Sequence, residues 1–288
     1  MKILLHSHVA ARSLVGRYLH AQTVLRAAEF EADVRTGVKA DALDVGGYDA
    51  LVSHDVVPAT VRAAMPGRVL GGKRWSRPEQ LTWLAERGFP VMEWKLVSSQ
   101  AEGLALFDTW GVDRLIVKRS YVDGGSGWHV LTRNQSRYVT WDMANDIVCR
   151  EVNESDGRVF KAELFGGRVM IGYVLKKAPV RERLLANDET PDGYRRLAVY
   201  RDDRIAPDER HRGLWEFSEA EREMLRKLSR ELTQAGFGYV SVDLMQKPDG
   251  TLVAIEVNTA RVVTWWTEQF AFTRQRFAEA LVELVRRF

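Results

Sequence analysis

Asp243, Glu256 and Asn258 stand close to the end of the chain, in Tyr239-Val-Ser-Val-Asp243-Leu-Met-Gln-Lys-Pro-Asp249-Gly250-Thr-Leu-Val-Ala-Ile-Glu256-Val-Asn258. Two carboxylates and an amide oxygen on one face would suit Mg²⁺, a hard cation that takes oxygen ligands and keeps waters or phosphates in its other positions. The elements needed to bring them together are written in the same stretch. Pro248-Asp249-Gly250 is turn chemistry, because Pro presets φ and Gly accepts positive φ. Leu252–Val257 reads as a buried strand interrupted by one acid. Alternation along that strand sets Glu256 and Asn258 on one face and Ile255 and Val257 on the other, with Asp243 returning beside the first pair. A carboxylate in an apolar strand also requires a cation or base near it.

A second informative stretch runs from Asp113 to Leu131. A strand ends in Lys118, a loop containing Gly124, Gly125, Ser126 and Gly127 follows, and a strand resumes at Trp128. Glycines let backbone approach phosphates, with loop N–H groups and the serine hydroxyl as donors. Lys118 on its strand would be a fixed point charge. The glycines lie between strands, so the pattern is neither a Walker loop nor a dinucleotide fingerprint.

The chain has 288 residues, 45% hydrophobic and 28% charged, with net charge +3. That describes a globular protein of two or three lobes. The balance is mildly basic, and Arg and Lys dominate between Lys176 and Arg212, which favours an anionic ligand or partner; no nucleic-acid recognition motif accompanies it. A single cysteine, Cys149, excludes a disulfide framework and a thiolate zinc site, and is read as a packing residue. No apolar run nears the ~20 residues of a membrane span, and the N-terminus reads as a first strand rather than a signal peptide. A cytoplasmic location is the default expectation.

Ile3–Leu5, Asp49–Ser53 and Arg68–Gly71 read as strands alternating with a helix over about Ala10–Phe30 and a helical turn at Val61–Ala64, which predicts a small parallel α/β unit. Ser76 caps a helix that stops near Gly88, and a strand is expected over Phe89–Trp94. Ser98 or Ser99 caps the next helix. Ile147–Val152 reads as a strand, Val159–Phe165 and Arg168–Leu175 as a hairpin, and Ser218–Gln234 and Phe270–Phe288 as amphipathic helices. The charged segment 181–213 has no clear period and reads as a lid or acceptor-binding loop. His6, His8 and His54-Asp55 fall at strand ends, where α/β sheets bind ligands. Trp265-Trp266 is read as core or interface.

In this order, the parts resemble the ATP-grasp superfamily of Mg-ATP-dependent ligases over roughly Lys73–Trp266. Within it they look most like carboxylate–amine ligases of the ribosomal-protein glutamate ligase, glutathione synthetase and D-alanine–D-alanine ligase type. The resemblance implies an α+β / α/β ATP-grasp fold with a small N-terminal α/β domain (1–72), a central lobe (73–146) and a C-terminal lobe carrying the metal hairpin (147–288). It implies that Lys118 and the loop Gly124, Gly125, Ser126 and Gly127 meet the nucleotide phosphates. Glu151 and Val152 would meet the adenine and Glu154 the ribose. Lys161 would stand where relatives carry an arginine facing the phosphates, and Lys73 or Arg74 would match a basic residue ahead of the central lobe. Asp243, Glu256 and Asn258 would hold two Mg²⁺ ions, with Mn²⁺ an allowed substitute. Two departures bear on the acceptor site. Asn258 is followed by Thr259-Ala260-Arg261 instead of a Ser/Thr-Pro-Gly turn, and Ser241 replaces the arginine that many relatives place before the metal aspartate. Arg261, Arg183, Arg195 or Arg196 would then supply the missing charge.

The implied activity is ATP-dependent joining of a carboxylate to an amine through an acylphosphate, releasing ADP and phosphate. The alternatives are a kinase or phosphotransferase on the same fold, or a non-catalytic nucleotide-binding module. The expected partner is a small molecule, amino acid or peptide. A nucleotide acceptor stays open, as does a homodimer.

Overall fold

The computed structural model of the chain describes residues 1–10, 12–119, 128–136, 146–150, 158–176, 212–260 and 270–288. The N-terminal unit contains β1 (Lys2–Ser7), α1 (Arg12–Ala27), β2 (Glu31–Thr36), β3 (Ala50–Val56), α2 (Ala59–Ala64) and β4 (Val69–Gly72). Its strands form a parallel sheet in the order β2-β1-β3-β4. Ile3, Leu4 and Leu5 are fully buried, as a central parallel strand requires. The sequence reading missed β2, because Glu-Ala-Asp-Val-Arg-Thr lies at the sheet edge and fully buries only Ala32. It also carried α1 too far. Glu29 has φ 66° and the Phe30 N–H bonds back to the Leu25 carbonyl, which closes the helix.

Next come α3 (Arg77–Glu86), β5 (Trp94–Leu96), α4 (Gln100–Thr109), β6 (Arg114–Arg119), β7 (Trp128–Thr132), α5 (Arg133–Ser136) and β8 (Asp146–Arg150). Ser76 and Glu79 form a complete capping box on α3. The four strands make an antiparallel sheet, β5-β8-β6-β7, packed on α4 through Phe107, Leu115, Val117 and Val148. The strand expected over Phe89–Trp94 is displaced. Residues 90–92 instead make a short parallel bridge to the last hairpin, where Ala254 N–H bonds to the Pro90 carbonyl and Met92 N–H to the Ala254 carbonyl. Only from Trp94 does the chain join the small lobe, pairing with Cys149. This segment therefore ties the two lobes together.

The last lobe holds β9 (Arg158–Phe165), β10 (Arg168–Lys176), β11 (Arg212–Leu214), α6 (Glu219–Gln234), β12 (Val240–Gln246), β13 (Leu252–Asn258) and α7 (Ala271–Val285). Its antiparallel sheet runs β11-β10-β9-β12-β13. Phe160, Ala162, Leu164, Val240, Val242 and Leu244 face α6 and pack on Leu225, Leu228 and Leu232. Fully burying each such side chain contributes about 1.5–3 kcal/mol. The intervening residues Lys161, Glu163, Ser241 and Asp243 make the other face polar. At its far end, Phe165 and Tyr239 join a core shared with α1 and α7.

Candidate active site

Period-two alternation brings the acids together, helped by an irregularity the sequence did not reveal. Asp243 pairs with Glu256, yet Leu244 pairs with Ala254, so Ile255 is an extra residue in β13. This bulge leaves Ala254 in the α6-facing core and turns Glu256 to the Asp243 face. Ile255 does not share the Val257 face as expected. It packs with Met92 of the linking segment and with Ile147 and Cys149 of the small lobe.

On this face, Lys161 lies opposite Asp243 in the neighbouring strand, and its ammonium meets both carboxylate oxygens at 2.6 and 2.8 Å. The Asn258 amide nitrogen is 3.4 Å from the nearer Asp243 oxygen. Glu256 meets the Arg77 guanidinium at 2.9 Å. Burial pulls the Lys161 pKa down, but the Asp243 carboxylate outweighs it and the net value is raised. For Glu256, burial pushes the pKa up. Arg77, then Lys118 and Lys161, more than reverse this and hold the carboxyl below its ordinary value. Lys118 is buried, with its ammonium 3.8 Å from Met92 sulfur. The structure thus places Lys118, Lys161, Asp243, Glu256 and Asn258 near one another. It adds Arg77, which sequence reasoning missed.

Arg77 opens α3 directly after its cap, and helical side chains lean back toward the N-terminus. That geometry points it out of the helix end toward β13, where the Gln80 side-chain amide oxygen also accepts the Val257 N–H at 3.0 Å. Lys73 and Arg74, expected to match a basic residue ahead of the central lobe, make no ion pair with the acids. Lys73 donates to the Ala235 carbonyl, and Arg74 is exposed. Gly124, Gly125, Ser126, Gly127, Glu151, Val152, Glu154, Arg183, Arg195, Arg196, Arg261 and Trp265-Trp266 lie outside the described residues, as does nearly all of 181–213.

Two oxygen anions and an amide fit Mg²⁺ by their chemistry, and both carboxylates already hold cations in this structure. Among the described residues no cluster of three or more His, Cys, Asp or Glu could hold a metal ion. The donor set thus suits a metal that shares its coordination with waters or phosphates.

The polar row continues past the acids. Ser241 lies opposite Glu163, and its hydroxyl is buried without a hydrogen-bond partner among the described residues. Glu163 is fully buried and accepts the Tyr239 hydroxyl at 2.6 Å, while the Arg17 guanidinium stacks 4.3 Å from the Tyr239 ring centre. Here the row meets the carboxyl ends of β1 and β3. His54 stacks on Tyr239 and bonds the Tyr18 oxygen through Nδ1 at 2.5 Å. The Tyr18 hydroxyl donates to the His6 carbonyl, so that His54 nitrogen must carry the hydrogen. His6 bonds Ser53 and the Val38 carbonyl, and the His8 N–H bonds Asp55. His54 is thus tied into the inter-lobe core, while the His6 ring and the His8 backbone bond within the N-terminal unit. Cys149 is buried, and burial raises its thiol pKa.

No protein-family model matches the chain, and no curated protein matches it. Solved structures do. D-cycloserine synthetase DcsG superposes with TM-score 0.64 at 17% identity, covering 98% of this chain and 99% of its own. The ATP-grasp ligase PsnB, complexed with a minimal precursor, gives TM-score 0.62 at 12% identity, with 98% of each chain covered. D-alanyl-alanine synthetase A from Vibrio cholerae gives 0.58 at 14% identity, covering 100% of this chain and 98% of its own. These superpositions cover the chain almost end to end: the chain has the ATP-grasp fold.

Proposed function

We propose that the protein is an ATP- and Mg²⁺-dependent ligase that joins a carboxylate to an amine through an acylphosphate, releasing ADP and phosphate. One observation carries this reading. Asp243, Glu256 and Asn258 share a face with three cations, Lys118, Lys161 and Arg77, two of them held directly by the acids. Buried carboxylates need counter-charge, and here Lys161 and Arg77 supply it. Asp243, Glu256 and Asn258 would hold Mg²⁺, which neutralises phosphate charge when bound. Lys161 and Arg77, released from the acids, would then face the triphosphate together with Lys118. Phosphoryl transfer needs this kind of positioning and charge neutralisation more than it needs a protein nucleophile.

The γ-phosphoryl group passes to an oxygen of the substrate carboxylate, with ADP leaving. The amine then attacks the acyl carbon and phosphate leaves. Solved structures similar to this chain include an ATP-grasp ligase in complex with a leader and core peptide and a macrocyclase bound with a precursor peptide. An amino acid or peptide is therefore the substrate class to test first. Incubation with ATP, Mg²⁺ and such a library should yield ADP with free phosphate and a condensed product. A phosphorylated product without free phosphate would mark a phosphotransferase instead. Glu256→Gln should abolish turnover in a chain that still folds, at a cost in stability from the unpaired Arg77, and turnover that survives it would remove the metal assignment.

A further inference from the structure

A second recess opens at the junction of the N-terminal unit with the last lobe. Its walls come from α2, β4, the β9–β10 turn, the end of α6 and the end of α7, and it encloses about 560 Å³. That is the size of small-molecule sites, roughly 300–1,000 Å³. Four cations line it, Arg62, Lys73, Arg230 and Arg287, and no acidic residue does. Its apolar floor includes Met65, Leu284 and Phe288.

Part of this charge has a structural use. Arg62 directs its donors to the carbonyls of Val69, Gly71, Gly72 and Gly236, at 2.9–3.3 Å, and Lys73 gives one to Ala235. The bonds to Gly236 and Ala235 cap α6, whose C-terminal end offers only about half a negative charge, and the other three hold β4. Two full positive charges meet it. Among the described residues only Arg230 of the four pairs with a carboxylate, Glu223 at 2.8 Å. The Lys73 pKa is lowered by burial first and by Arg62 second, as expected in an under-compensated positive field. The helix end and β4 therefore account for Arg62, and the Ala235 carbonyl and the Phe237 ring, 4.9 Å away, for part of Lys73; its remaining donors, Arg287 and the apolar lining are left unexplained.

We infer that this recess binds a small amphipathic anion. A carboxylate, sulfonate or phosphate head would lie at Lys73 and Arg287, with a ring or short branched chain on Met65, Leu284 and Phe288. Because the walls belong to separate parts of the chain, an occupant would tie the N-terminal unit to the last lobe. None of the residues lining it belongs to the acid cluster or its cations, so its test needs no turnover.

The probe is 1-anilinonaphthalene-8-sulfonate, titrated by fluorescence into the full chain. Saturable binding at one site is expected, with N-phenyl-1-naphthylamine, the same rings lacking the sulfonate, at least about tenfold weaker. Arg287→Glu and Lys73→Met should each weaken the sulfonate by about tenfold or more, and saturating Mg-ATP should leave it in place. Arg287 is exposed, so its variant keeps the fold even if Lys73→Met does not, and a melting curve checks both. Absence of saturable binding, equal affinity for the uncharged analogue, displacement by Mg-ATP, or a folded Arg287→Glu variant that binds normally would each overturn the inference.

Discussion

Glu256 touches the Arg77 guanidinium with its side chain one-fifth exposed, and the arginine is more deeply buried still. Removing one partner of such a pair leaves a desolvated charge, which costs about 3–5 kcal/mol in a dry interior. Lys118 and Lys161 also act on Glu256, so Arg77→Gln should cost less, about 1–3 kcal/mol by urea unfolding. The same variant should raise the KM for ATP more than it lowers kcat, if Arg77 serves ground-state phosphate binding. An unchanged KM would confine Arg77 to a structural part. Glu256 and Asn258 were legible as a pair because a period of two sets them on one face, whereas Asp243 joins that face only through the bulge at Ile255. Arg77 was not legible, because its partner lies on a distant strand and only the packing of α3 on β13 brings them together. Ser76-Arg77-Pro78 carried the one available hint, a basic residue at the first helical position.

At the scale of elements, the site depends on how α3 and β13 are held. Ser76 accepts the Glu79 N–H while Glu79 accepts the Ser76 N–H, and the helix start presents Arg77. Ser76→Ala should cost about 1 kcal/mol in unfolding free energy, the usual loss for a cap. It should also raise the KM for ATP in the same direction as Arg77→Gln, but less. A loss of stability with an unchanged KM would show that the cap does not position the guanidinium. The cap was legible from the sequence, as were the turn at Asp249-Gly250 and the strands on either side. The bulge at Ile255 was not. An extra residue leaves the apolar pattern of Leu252–Val257 intact and becomes visible only as a register shift against β12. Likewise β2 exposes too much of itself to show a strand period, and the Pro90–Met92 bridge is too short to show one.

Across the whole molecule, the N-terminal unit and the last lobe meet through aromatic rings around His54, which is buried with Tyr18, Tyr239 and Phe277. Burial first, then Arg17 and His6, holds the His54 pKa well below its ordinary 6.5. His6 is lowered as well, chiefly by burial. Both rings therefore stay neutral in the fold at pH values where the unfolded chain protonates them. The unfolded state then binds more protons, so stability is complete above pH ~6.5 and falls as pH drops toward the folded values. Each histidine contributes up to about 1.4 kcal/mol per pH unit in that window. Glu256 behaves similarly but lower, since its stabilisation is lost only as pH falls below its ordinary 4.5. Lys161, with a raised pKa, holds its contribution up to its ordinary 10.5 and loses it above. Between pH ~6.5 and ~5.5 the histidines thus dominate the slope. Urea unfolding across that interval should show a decline, and His54→Leu should flatten it whatever its own cost at neutral pH. An unchanged slope in the variant would mean that His54 already accepts a proton in the folded protein, and that the inter-lobe core is open to water at this ring.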